Sequence, residues 1–416
     1  MGERLPLRKS DIGVAMRVSF IFLAGLLLAA DWPQYTGPRR DSTSAETGIA
    51  RGWPKNGPAL VWQKPAGTGW SGPVVSGGKV ILFHRLDNQE LVECVDAKTG
   101  KEIWKQAYKT RYVDDFNFDD GPRATPLIAD ERVFTLGADG ELSAFDLSSG
   151  KVIWQKNLLK EYQPPKSFFG VATSPMIAGG RLLINVGAKG AGVVAFDPAT
   201  GKEIWKASDH GVSYSSPILA KIDGADLAIF FTRQGLLALK PEKGEVKYEF
   251  PWRPRLNASV NAASPSVSGN QIFLSTSYGT GAVLLEANKG ELKEIWKNDD
   301  SLSCHFNTPV LVDGHLYGID GRAEAGGKLR CVEWKTGKVL WSQEGFGCAS
   351  LIAVDGMLLA LAESGDLVLF EQSTKAYKEL ARARVLGNKV RAALALSEGR
   401  AYARDGEKWI CVDVKK

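Results

Sequence analysis

Trp70, Arg123, Tyr214, Asn261, His305, Asn307, Arg322, Glu363 and Arg391 give this chain the means to grip a ligand. Guanidinium forks bond carboxylates in pairs, and aromatic faces attract cations and cover planar rings. Together these side chains suit a planar anionic ligand or an acidic peptide segment. Nucleophilic and metal chemistry lack a comparable basis. There is no Gly-x-Ser-x-Gly elbow, no His-Glu-x-x-His and no Cys-x-x-Cys, and the four histidines (His84, His210, His305, His315) are scattered, so no metal site is expected. The pairs Asp114-Asp115 and Asp119-Asp120 sit in a loop-like stretch and read as solvated charges, with cation binding as the alternative. The glycine-rich stretches 187–192 and 279–281 link strand to strand. Phosphate binding needs a helix N-terminus at that point, so they are hairpin turns.

A repeat must bring the nine together. Trp104, Trp154 and Trp205 recur at a period of about 50 residues, each four residues after a turn glycine (Gly100, Gly150, Gly201). Between two such points lie four short β-rich runs, for example 125–129, 133–136, 142–147 and 152–154, separated by turn formers such as Asp139-Gly140. Four antiparallel strands per unit at this period predict a propeller blade. The same template yields docking aromatics at Tyr248, Trp296, Trp341 and Tyr377. The last unit, from 391 on, lacks a fourth strand, and residues 60–62 near the start supply one. The fold class is therefore all-β: an eight-bladed β-propeller of four-stranded antiparallel blades, closed by pairing of the N- and C-terminal segments.

Aligned on this template, a proline column (Pro73, Pro126, Pro175, Pro217, Pro265, Pro309, then Leu351 and Leu394) marks the start of each innermost strand. One residue earlier runs a hydroxyl column, Thr125, Ser174, Ser216, Ser264, Thr308 and Ser350, whose role is to satisfy backbone groups. Two to four residues earlier the repeat breaks down, and Trp70, Arg123, Tyr214, Asn261, His305, Asn307 and Arg391 stand there. Hairpin tips of the same end add Arg322, Glu363 and Arg404. Divergence inside a repeat array is where the scaffold no longer dictates the residue, so this mouth is the candidate site.

The remaining segments bound the context. Residues 1–30 read as a signal peptide, with Met16 as an alternative start, a positive opening, an apolar run and Ala29-Ala30 for cleavage. That run is too short to span a bilayer and no lipid-anchor cysteine follows it, which predicts a periplasmic or secreted chain with no membrane span after processing. Residues 31–56 read as a loop segment lying over the propeller surface, and 57–416 as the propeller. The aromatic-rich stretches 108–118 and 162–169 fall in long connections. The net charge of +5 over 416 residues gives no argument for nucleic acid. Of five cysteines, Cys94, Cys331 and Cys411 occupy a small, buried column, while Cys304 and Cys348 precede the innermost strands of adjacent blades, where a disulfide is an alternative.

The motif Ala-x-Asp-x-x-Thr-Gly-Lys-x-x-Trp, complete at 195–205 and slightly altered at 94–104 and 144–154, resembles the tryptophan-docking repeat of the PQQ-type β-propellers. That group includes the quinoprotein alcohol dehydrogenases and the BamB scaffold lipoproteins of outer-membrane assembly. The resemblance covers about residues 57 to 416 and implies the fold more strongly than the activity. The enzymes would imply a PQQ cofactor with Ca²⁺, a ring of two adjacent cysteines and a catalytic Asp. No two cysteines here are adjacent and the ligand set has no motif to place it, so no catalytic residue is carried over. The expectation is a non-catalytic, monomeric binding scaffold that requires no cofactor and takes a protein partner or small anionic ligand at the mouth. The alternative is a PQQ-dependent dehydrogenase of alcohols or sugars.

Overall fold

The computed structural model describes residues 1–2 and 31–415, so the leader lies outside the described residues. The chain is all-β: eight four-stranded antiparallel sheets arranged as an eight-bladed propeller. One blade consists of Leu127–Ala129, Arg132–Leu136, Glu141–Asp146 and Val152–Asn157, from the channel outward. The closing blade combines both ends of the chain. Its outermost strand, Ala59–Pro65, pairs with Lys408–Asp413, with Leu60 opposite Val412 and Trp62 opposite Cys411.

Each outermost strand carries a bulge at the same register. The residue left out of the pairing, Val61, Ile103, Ile153, Ile204 or Ile295 among others, points to solvent. The bulge turns the next side chain inward and spoils the free edge as a template for another strand. In seven of the eight blades that next residue is the docking aromatic. Its indole N–H reaches a turn carbonyl of the following blade: Trp62 to Ala97, Trp104 to Leu147, Trp154 to Pro198, all at 2.9–3.0 Å. The turn glycine of the following blade lies under the ring. A Cβ on Gly150 would stand 2.5 Å from Trp104, so this glycine serves the turn and also makes room for its neighbour's indole. Trp62, Trp104, Trp341 and Tyr248 are buried; Trp154, Trp205 and Trp296 are only partly covered.

The structure corrects three expectations about the fold and decides one open alternative. In the seventh blade the docking register falls on Ala381, opposite Leu369, and Tyr377 packs from the preceding turn against Phe346 and Phe370. A short helix, Leu158–Tyr162, capped by the Asn157 side chain, occupies a connection read as loop. All five cysteines are buried thiols, so Cys304 and Cys348 form no disulfide; burial pushes both up to about 12.

The third correction concerns residues 31–50, which do not lie over the surface. Both ends of this segment are fixed at the end of the ring opposite the mouth, where Ser76 donates to Asp31 and the Asp355 carboxylate accepts from Gly48 and Ile49 N–H. Between them the chain enters the channel. Trp32 pairs with Val75, Pro33 accepts from Ile128, and Ser42 and Ser44 bracket Ala353. Arg40, buried, donates to the carbonyls of Pro175 and Pro217, and the Tyr35 hydroxyl meets Thr308. Burial pulls the Arg40 guanidinium down to about 9. Glu46 and Ala50 add bonds to Gly399 and Val414 of the closing blade, so the segment is a re-entrant plug that ties seven blades together.

Candidate functional site

The plug turns the channel mouth into a cup of about 360 Å³, floored by Trp32, Tyr35, Thr36 and Ser42. The hydroxyl column forms a belt just above it. Thr125 accepts from Gly72 N–H, Ser174 from Thr125, Ser216 from Ser174, Thr308 from Ser264, and Ser350 from Leu394, at 3.0–3.2 Å. Each strand start is thereby bonded to a neighbour, which satisfies the buried N–H groups and fixes the loops above.

Seven of the nine sequence-selected residues line this cup: Trp70, Arg123, Tyr214, His305, Asn307, Arg322 and Arg391. Asn261 does not. It is buried beneath the wall, where its amide donates to the carbonyls of Thr232 and Trp252, and its own carbonyl accepts from Tyr214 and Ser215 N–H. Glu363 stands behind the lining and accepts from Arg391 Nε at 3.2 Å. Arg404 is fully buried and donates to the carbonyls of Gly67 and Asp405, so that hairpin tip is structural.

The three lining arginines are not equivalent. Arg123 is buried and committed. One Nη bonds the buried Asp114 carboxylate at 3.0 Å and the Asp119 carbonyl at 2.8 Å. Asp114 in turn accepts from the N–H groups of Phe116, Phe118 and Asp119. This pair shapes the aromatic-rich loop after the outer strand Glu102–Lys109. Arg322 and Arg391 each spend Nε on one acid, Glu324 and Glu363, at 3.2 Å. Arg123 and Arg391 both stand over Trp70, at 4.6 and 4.8 Å from the ring centroid, and Arg322 stands 4.8 Å from that of Tyr278.

Several lining residues were not singled out from the sequence. Tyr278 has φ of +66°, unusual for a bulky residue. Its hydroxyl lies 2.8 Å from His305 Nε2. Burial, and secondarily the Arg322 and Arg391 charges, pull the imidazole down to about 4 against the pull of Glu324. The imidazole is therefore neutral at pH 7 and holds the tyrosine in place. Phe116, Phe118, Phe168 and Phe169 form the rim, with Phe116 and Phe169 centroids 5.2 Å apart. Their two stretches were conspicuous for aromatics, but no repeat column marked them as meeting.

A family model described as outer membrane protein assembly factor BamB matches residues 54–208 and 88–343. Among curated relatives, BamB of Yersinia pestis is 26% identical over 273 residues, 60% of this chain and 65% of that protein. The quinoprotein alcohol dehydrogenase PedH of Pseudomonas putida is 32% identical over 139 residues, 32% of this chain and 22% of that protein. The chain thus spans under two thirds of the length of these relatives. BamB from Moraxella catarrhalis superposes with a TM-score of 0.60 at 15% identity, covering 85% of this chain and 97% of that one. The quinohemoprotein alcohol dehydrogenase from Comamonas testosteroni superposes with a TM-score of 0.50 at 15% identity, covering 93% and 81%. Likeness at this identity speaks to the fold alone.

Proposed function

Because this chain belongs to the PQQ-repeat β-propeller family described as outer membrane protein assembly factor BamB, we propose that it is a non-catalytic binding scaffold, periplasmic or secreted, whose binding surface is the plugged mouth. The observation that carries this reading is the cup itself. It is closed below by the chain's own plug, walled by guanidinium groups paired with acids, and rimmed by aromatic rings. Such a preformed concave site binds without rearrangement.

The dehydrogenase reading asks for a quinone with Ca²⁺, and the residues present do not fit that pair. Ca²⁺ takes about 6–8 oxygen ligands. The one carboxylate lining the cup, Glu324, is bonded to Arg322, and no group of three or more His, Cys, Asp or Glu placed to hold a metal occurs among the described residues. The Trp70 ring is already engaged by two guanidinium groups. Calorimetric titration with PQQ and Ca²⁺ tests this: the scaffold reading expects no saturable heat, and tight binding lost in Arg391→Ala would overturn it in favour of a quinoprotein.

A further inference from the structure

We infer that the cup receives an acidic segment of a partner protein that also carries an aromatic side chain; this deepens the scaffold reading and rests on it. Arg322 and Arg391 each bond one carboxylate through Nε. Their terminal nitrogens, the Asn307 amide and the Trp70 indole N–H make no hydrogen bond among the described residues. The two acids beside them are each matched to one arginine. Each of these two guanidinium groups keeps its terminal nitrogens unspent as a fork, and the complement of such a fork is a carboxylate.

The two ends of the ring differ in what they expose. The mouth-end connections expose Leu86, Val113, Phe116, Phe118, Phe168 and Leu256, the last at 53%. At the opposite end the exposed large apolar side chains among the described residues are aliphatic, Leu60, Val152 and Val246 at the starts of outer strands, whereas the exposed phenylalanines are all at the mouth. Rings gathered beside a charged concavity are the composition of an interface centre, where aromatic and arginine side chains dominate. A flat lipid surface would meet the rim without reaching the recessed Arg391. A projecting peptide segment meets both, its aromatic side chain against Phe116 and Phe118 and its carboxylate against the guanidinium groups.

The test uses the purified full chain and a fluorescent peptide with blocked termini, acetyl-Gly-Ser-Phe-Asp-Phe-Glu-Ser-Gly-amide, read by anisotropy. Saturable binding is expected, weakened about tenfold when Asp and Glu become Asn and Gln, and about tenfold when both Phe become Ser. Arg391→Ala and Phe116→Ser should each weaken it by about the same factor with melting temperature unchanged, and Arg391→Lys should keep part of it. Absence of binding, or equal binding of the neutral peptide, would overturn the inference. So would sedimentation with phosphatidylglycerol vesicles that requires Phe116 while no peptide binds. A partner cross-linked at the mouth through a basic or uncharged segment would overturn this inference alone. A partner that never touches the mouth removes the scaffold reading with it.

Discussion

The guanidinium carbon of Arg391 stands 4.8 Å from the centroid of Trp70, and the two residues face each other across the seam of the ring. Trp70 leads into the inner strand Val74–Ser76 of the first blade, and Arg391 into Ala395–Ser397 of the closing blade. Their meeting depends on the chain's two ends sharing one sheet. Deleting residues 57–63 removes most of the outer strand of that sheet and uncovers the Trp62 site. The variant should melt roughly 10 °C or more below the parent. Equal melting would refute the closure.

Trp104 and Gly150 define the contact between consecutive blades. Trp104→Ala should cost about 3–5 kcal/mol in denaturant unfolding. The partly covered Trp154 should cost less when truncated. Gly150→Ala should also destabilise, by roughly 1–3 kcal/mol, since the position has φ of +72° and no room for a Cβ. A Gly150→Ala variant of parental stability would show that the glycine is merely tolerated.

Arg40 anchors the plug. Arg40→Met keeps much of the volume but leaves the carbonyls of Pro175 and Pro217 without their donor. The cost should be about 1–3 kcal/mol per buried group, and limited proteolysis should begin to cut within residues 31–50. Unchanged stability together with unchanged protection would mean that the plug is held by its backbone pairings alone.

His305 predicts a pH dependence. The imidazole takes its proton near 6.5 in the unfolded chain and near 4 in the folded one, chiefly because burial disfavours the cation. Between those values the unfolded state binds more protons, so stability falls as pH falls. From pH 7 to 5 the loss attributable to this group is roughly 1–2 kcal/mol. Unfolding of wild type and His305→Gln at both pH values should show a flatter response in the variant. Parallel responses would contradict the burial.

The blades were legible because each one solves the same packing problem. The Trp104–Gly150 contact recurs, and so leaves a period in the sequence. The seam was legible because one blade was left a strand short at each end. The seventh blade misled because Tyr377 lies near the expected spacing while the bulge puts Ala381 in register. The mouth was legible only as a place. Asn261 and Arg123 differ from their column neighbours, yet they serve the wall and a loop respectively. Tyr278, the four rim phenylalanines and the plug escaped because their contacts join distant segments once each, and a contact made once leaves no pattern to read.

The central claim, that the mouth is where this scaffold binds, is tested most directly by photo-cross-linking in cells. A photoreactive residue is placed at Phe116 or Phe168 on the rim, at Ile204 on the outer wall, or at Lys98 on the opposite end. The account predicts one discrete cross-linked partner from the two rim positions, lost when Arg391 is also changed to Ala, and none from Ile204 or Lys98. A partner captured at Ile204 or Lys98 and not at the rim would contradict it.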